Sequence, residues 1–134
     1  MVSPNQPFVT AFLQIANQSP EWAWNRYTPP GHPFRRFVVS ISVFSKVLQE
    51  VQHLAIHLND RHHAGPALVE IIAEPFVLKV EDYVVTVQQD ARITLDGVYF
   101  DAKAPIYRVP LIAQWIDTAN EDDIEGSFRR LWWD

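Results

Sequence analysis

The sequence has 134 residues, a formal net charge of −5 at pH 7 and no cysteine. This length predicts one domain over residues 1–134, and a hydrophobic content of 48% is enough to build a core rather than a disordered chain. The lack of cysteine excludes disulfides, thiol catalysis, thiolate zinc sites and iron–sulfur clusters, while the acidic balance disfavours nucleic acid as a partner.

The N-terminal part is predicted to contain two helices and a loop. Apolar residues at helical spacing predict a first helix over residues 4–17. Ser19, Pro20 and Glu21 have the order of a cap, a first-turn proline and an acidic residue, which predicts the start of a second helix. That helix must end before "TPPGHP", because three prolines and one glycine in six residues are typical of a loop.

The next segment changes from the period of a strand to that of a helix. Residues 35–43 alternate between two faces, which predicts a strand, although their valines and isoleucine also fit the front of a helix. From residue 44 the apolar side chains follow helical spacing, with Ser45 as a candidate cap. The apolar stripe of this long helix comprises Phe44, Val47, Leu48, Val51, Leu54, Ala55 and Leu58.

The second half of the chain is predicted to consist of short strands, followed by one helix. The strands cover residues 68–72, 76–80, 83–88, 92–95 and 98–100. Asp96-Gly97 predicts a type I′ hairpin, because both residues tolerate a positive φ, and Glu81-Asp82 predicts a looser turn. Pro110 is expected to open the last helix.

These elements predict an α+β fold, in which N-terminal helices and one long amphipathic helix pack on an antiparallel sheet of hairpins. No segment approaches the roughly 18 consecutive apolar residues that cross a bilayer. The N-terminus also has no basic region before an apolar run. We therefore expect a soluble, cytoplasmic protein that does not bind membranes.

Four of the five histidines lie in "LQEVQHLAIHLNDRHH". His53 and His57 are four residues apart, and Glu50 precedes His53 by three, which are spacings that metal sites use on helices. Both histidines, Glu50 and Asp60 fall on one stripe away from the apolar face, so the main interpretation is a solvated helix face without cofactor. A histidine–carboxylate acid–base pair, also with His32, is the catalytic alternative.

Tryptophan and arginine are concentrated in two segments. "EWAWNRYTPPGHPFRR" and "FRRLWW" hold four of the five tryptophans and five of the eight arginines. These residue types are enriched at binding hot spots. The predicted binding residues are Trp22, Trp24, Arg26, Tyr27, His32, Arg35 and Arg36. The acidic run from Asp117 to Glu125 could face such a patch on a second copy, which would favour self-association.

The leading hypothesis is a non-enzymatic protein–protein interaction domain, an adaptor or an assembly subunit. The alternative is a small enzyme or ligand-binding protein with a cup-like pocket between the sheet and the long helix. Single-stranded nucleic acid binding, with bases stacked on tryptophan and tyrosine, is the third hypothesis. The four glycines are isolated and no Gly-x-Ser-x-Gly elbow is present, which excludes glycine-rich phosphate loops and that class of hydrolase.

Overall fold

Helices and one antiparallel sheet form from the described residues, which in this computed structural model are 4–25, 33–55, 65–86, 90–104 and 110–133. The elements in chain order are α1 (Gln6–Gln18), β1 (Phe34–Ser40), α2 (Ile41–Val51), a 3₁₀ turn (Gln52–Leu54), α3 (Leu68–Ile72), β2 (Lys79–Val85), β3 (Arg92–Ile93), β4 (Gly97–Asp101), α4 (Pro110–Thr118), β5 (Glu121–Glu125) and β6 (Phe128–Trp132). The predicted α+β class and the antiparallel sheet are confirmed.

The strands pair in the order β1-β2-β4-β6-β5, and every pair is antiparallel. The short β3 also pairs with β2, beside β4. A two-residue loop, Gly126-Ser127, joins β5 to β6, and Gly126 has a φ of 60°, a conformation that glycine adopts without steric cost. β6, the last described strand in the chain, is therefore enclosed between β4 and β5.

The core lies on one face of the sheet, where α1, α2 and α4 pack. Alternate strand residues point toward these helices and are buried, namely Phe37, Val39, Val80, Val98, Phe100 and Leu131. The Phe37 ring stacks on Phe44 of α2 with centroids 5.9 Å apart, and Phe44 contacts Phe12 of α1 at 5.5 Å. On the α4 side, Trp115 meets Trp133 edge to face at 6.0 Å. Aromatic side chains thus join the helices to the sheet.

The long helix that the apolar stripe predicts is not confirmed. β1 leads directly into α2, because the Ser40 Oγ accepts a hydrogen bond from the Val43 backbone N–H at 3.3 Å and caps the helix five residues before Ser45. The α-helix ends at Val51 and tightens into the 3₁₀ turn. Leu54 is 39% exposed, so the core no longer covers the stripe there. The remainder of the predicted helix, which continues from residue 56 to about Arg61, lies outside the described residues.

Two further predictions of element type are wrong. The expected second helix is replaced by an extended segment, in which Trp24 forms a β-bridge with Phe37 and the Asn25 N–H donates to the Arg36 carbonyl oxygen at 2.8 Å. Pairing with the edge of β1 satisfies these backbone groups in place of a helix. Residues 68–72 form α3 rather than a strand, because a five-residue apolar run fits either element.

Both turns predicted in the second half are also wrong. Glu81 and Asp82 lie inside β2 instead of between two strands. Asp96-Gly97 forms no hairpin, since β3 and β4 run along the same edge of β2 and Gly97 does not have a positive φ. The first helix and the helix that Pro110 opens, by contrast, are confirmed.

None of the helices within the described ranges has the length and apolar composition needed to traverse a bilayer.

Candidate functional site

The sheet face opposite the core helices carries charged and aromatic side chains, and we call it the open face. Cross-strand partners share a face. Val38 pairs with Glu81, Glu81 with Gly97, and Gly97 with Trp132, so these residues form one row across the sheet. The open face comprises Phe34, Arg36 and Val38 of β1, Lys79 and Glu81 of β2, Gly97 and Tyr99 of β4, Phe128, Arg130 and Trp132 of β6, and Glu121, Asp123 and Glu125 of β5.

A fully buried carboxylate, Glu81, organises the centre of this face. The Arg130 Nε donates to its Oε1, and the Arg36 Nη2 donates to its Oε2 at 2.8 Å. Arg130 also contacts Glu121, at 3.0 Å. The Trp132 ring lies beside both guanidinium groups, with centroid distances of 5.6 Å to Arg36 and 5.0 Å to Arg130. One carboxylate therefore holds two arginines in fixed positions beside an indole ring.

Gly97 provides the space that this network needs. It is the cross-strand partner of Glu81 and of Trp132. A Cβ atom at this position would lie 2.8 Å from Glu81 Oε1 and 2.9 Å from Trp132 Cε3, and closer still to Glu81 Cγ. Position 97 therefore requires glycine because the Glu81 and Trp132 side chains approach the backbone closely there. The turn that Asp96-Gly97 predicts is not the reason.

Tyr99 adjoins the same network, and its environment predicts an alkaline transition. Burial, followed by the negative charges of Glu81 and Glu125, raises the pKa of Tyr99 to about 12, which Arg130 opposes. Since tyrosine in an unfolded chain titrates near pH 10, the folded state keeps this proton longer. Its contribution to stability is present below about pH 10 and is lost as the pH rises toward 12.

We therefore expect one of the four tyrosines to ionise late when the native protein is titrated and tyrosinate absorbance is recorded. Tyr99→Phe removes that late transition and reduces the fall in the free energy of unfolding above pH 10, measured by urea denaturation. An unchanged late transition in the variant would show that another tyrosine causes it.

The predicted aromatic–arginine patch is divided between the two faces. We call Asn17, Trp22, Trp24 and Arg35, on the helix side, the Trp24 cluster. The Trp24 indole N–H donates to Asn17 Oδ1 at 2.8 Å, and the Arg35 guanidinium lies 4.0 Å from the centre of the Trp24 ring. Arg36 is on the open face, because neighbouring strand residues point in opposite directions.

Trp22 belongs to the aromatic core. Its side chain is 8% exposed and its ring contacts Phe12 at 5.4 Å, Phe37 at 4.9 Å and Trp24 at 5.5 Å. Trp22 therefore has a packing role. Most of its ring is inside the core and is not available to a binding partner. Of the other predicted binding residues, Arg26, Tyr27 and His32 lie outside the described residues.

The weak metal-site candidates do not meet in one cluster within the described ranges. Glu50 is exposed on α2, and His53 is exposed on the 3₁₀ turn. Glu50 also borders a groove of about 270 Å³ between α1 and α2, together with Ile15, Gln18, Ser19, Lys46 and Val47. His57 lies outside the described residues, among which no group of three or more histidines and carboxylates could hold a metal.

Sequence reasoning missed the ion pairs of the β5–β6 hairpin. Three of the acidic residues predicted to face a second copy contact arginines of the same chain, namely Glu121, Asp122 and Asp123. Arg129 donates to both carboxylate oxygens of Asp122, at 2.8 and 2.6 Å, and Arg130 reaches Glu121. The sequence did contain a signal for these ion pairs, namely a run of carboxylates, then Gly126, then two arginines. A hairpin at that glycine places the opposite charges side by side.

Comparison of the chain with protein-family models, with curated proteins and with solved structures found no match.

Proposed function

We propose that this protein is a non-enzymatic interaction domain that binds an acidic segment of a partner protein across the β1–β2 half of the open face. The observation that carries the proposal is an exposed apolar strip with a cation held inside it. Phe34 is 42% exposed and Val38 is 37% exposed. Arg36 lies between them on β1, with its side chain 33% exposed. Aromatic and arginine side chains supply much of the free energy at protein interfaces.

Charge across the open face supports an acidic occupant. Arg36 and Lys79 lie on the β1–β2 side, and the Lys79 Nζ is held 4.4 Å from the centre of the Phe128 ring. Glu121, Asp123 and Glu125 are exposed on β5, at the opposite edge. An acidic segment is therefore attracted to one half of the face and repelled from the other, which fixes its position.

The Glu81 network lowers the entropic cost of binding. A free arginine side chain loses rotamer entropy when a partner immobilises it, roughly 0.5–1.5 kcal/mol for a side chain of this kind. Arg36 is already held by Glu81 and by the Trp132 ring. Contact with a partner therefore costs less ordering than contact with a mobile surface arginine.

The other two hypotheses receive less support from the described residues. Fully buried rings and aliphatic side chains, including Phe37, Phe44 and Val80, occupy the space between the sheet and α2 where the alternative places a pocket. For single-stranded nucleic acid, the aromatic residues of the open face would suit stacking, but the exposed carboxylates of β5 would repel phosphates.

The test replaces the apolar strip and leaves the buried network intact. Phe34→Ser with Val38→Ser is expected to weaken partner binding by about tenfold or more. Leu54→Ser is the matched control, because Leu54 is an equally exposed apolar residue on the 3₁₀ turn. Proteins captured by the wild type in the presence of nuclease are identified, and their affinities for the wild type and for both variants are then measured with purified components.

An acidic protein that binds the wild type and the Leu54 control, and is lost by the double variant, would support the proposal. Self-association is measured in parallel by sedimentation velocity. If only a wild-type dimer is found and the double variant is monomeric, the acidic segment belongs to a second copy. Partners that bind all three proteins equally would contradict the assignment of this surface.

A further inference from the structure

Arg35 is a buried cation with little compensation. It is 7% exposed, and its polar side-chain contact within the described residues is a long hydrogen bond of 3.4 Å from Nη1 to Asn17 Oδ1. No described carboxylate forms an ion pair with it, in contrast to Arg36, Arg129 and Arg130. Burial lowers the pKa of Arg35 from its ordinary value. Buried charges in proteins are normally paired and fully hydrogen-bonded.

Two buried hydrogen-bond donors in this cluster have no acceptor among the described residues. These are Nε of Arg35 and Nε1 of Trp22, whose ring lies against Trp24. Asn17 satisfies neither donor, because its Oδ1 accepts from Trp24 Nε1 and, over a long distance, from Arg35 Nη1. Unsatisfied buried donors next to an unpaired guanidinium indicate that an acceptor with negative charge completes the site.

We propose that the Trp24 cluster is an oxyanion-binding site, in which Arg35 receives a carboxylate or phosphate group. The planar fork of a guanidinium matches two oxygens of such a group, and Nε is one of the donors that the fork uses. Trp24 covers the guanidinium at 4.0 Å and is itself only partly buried. Binding requires this indole to move away from Arg35 so that the anion can reach the cation.

The C-terminal end of α1 offers a simpler role for Arg35. Asn17 is in the last turn of α1, and a cation there interacts favourably with the helix dipole. That role would satisfy part of the charge, but it provides no acceptor for Nε. The two explanations predict different results when oxyanions are added. Only the binding site predicts a response, because an interaction with the helix dipole needs no added anion.

The experiment is a titration of the ¹⁵N-labelled protein with sodium formate, sodium acetate or sodium phosphate, with sodium chloride at equal ionic strength as reference. Indole N–H resonances are recorded, and Trp24→Phe identifies the Trp24 signal. We expect saturable shifts of the Trp22 and Trp24 signals with an oxyanion and not with chloride. Shifts with formate and acetate but not with phosphate would show that the site takes a carboxylate group. Shifts with phosphate alone would show that it takes a phosphate group.

Arg35→Met should abolish the shifts, and Arg35→Lys, which keeps the charge but loses the fork, should weaken binding by about tenfold. Lys46→Met is the matched control, because it removes one cation from an exposed position on α2 and should bind as the wild type does. If no oxyanion shifts these signals, or if Arg35→Met shifts like the wild type, the proposal is overturned and a water molecule suffices for Nε.

This site is independent of the function proposed above. Arg35 and the open face lie on opposite sides of the sheet, so Phe34→Ser with Val38→Ser should leave the oxyanion titration unchanged. Loss of partner binding in Arg35→Met alone would instead show that the partner supplies the anion.

Discussion

Glu81→Gln is expected to lower the free energy of unfolding by about 3–5 kcal/mol, because it removes the negative charge from a buried pair and leaves its cations in place. Glu81 is fully buried between Arg130, which is 7% exposed, and Arg36. Domains of this kind are stable by only about 5–15 kcal/mol, so the loss is a large part of the total. Urea denaturation followed by tryptophan fluorescence measures it.

Glu121→Gln provides the matched control for this substitution. It makes the same chemical change in another carboxylate that bonds Arg130, at 3.0 Å, but the Glu121 side chain is 54% exposed. Exposed ion pairs contribute roughly 0–1 kcal/mol, so the control should remain close to the wild type. Equal losses in the two variants would mean that burial does not distinguish these carboxylates, and the central role of Glu81 would be refuted.

Gly97→Ala is the second substitution with a large expected effect, a loss of about 1–3 kcal/mol from overpacking. The added methyl group would lie within 3 Å of both Glu81 Oε1 and Trp132 Cε3. Neither neighbour can easily move, since Glu81 is held by two arginines and the Trp132 ring lies beside both of their guanidinium groups. The same urea denaturation experiment measures the loss.

Two controls test whether the loss in Gly97→Ala comes from the steric clash: a substitution at Gly126, and a double-mutant cycle with Glu81. Gly126→Asn should change stability by less than about 0.5 kcal/mol, since no atom lies within 4 Å of the added Cβ and asparagine tolerates a φ of 60°. In a Glu81→Ala background, where the clashing side chain is removed, Gly97→Ala should cost less than in the wild type. Strict additivity of the two substitutions would argue against the steric explanation.

Sequence periodicity correctly predicted the elements in which the apolar positions of the sequence are the ones buried in the fold. The first and last helices and the strand character of residues 35–40 belong to this group. Failures occurred where tertiary contacts override local signals. Glu81-Asp82 resembles a turn, but a strand can bury Glu81 once arginines neutralise it. Asp96-Gly97 resembles a hairpin, but the glycine is needed beside that same glutamate.

The candidate site was predictable by residue type and not by arrangement. Clustering of tryptophan and arginine pointed to Arg35 and Arg36, which the structure places on opposite faces of β1. Arg36 contacts Glu81 and the Trp132 ring, and Glu81 is 45 residues away in the chain. A single sequence has no local signal for a contact at such separation. Composition therefore identified the residues, whereas the strand order was needed to show which of them act together.

The position of β6 between β4 and β5 has a consequence for how the chain acquires its structure during synthesis. Glu81 and Arg130 are separated by 49 residues, and β6 bonds both β4 and β5. At translation rates of about 5–20 residues per second, Arg130 follows Glu81 by roughly 2–10 s. Until then Glu81 has Arg36 but lacks Arg130, its more deeply buried partner, and the edge of β4 that will bond β6 is unpaired. This interval is the period in which a chaperone has an exposed strand edge to bind, and in which aggregation competes with folding.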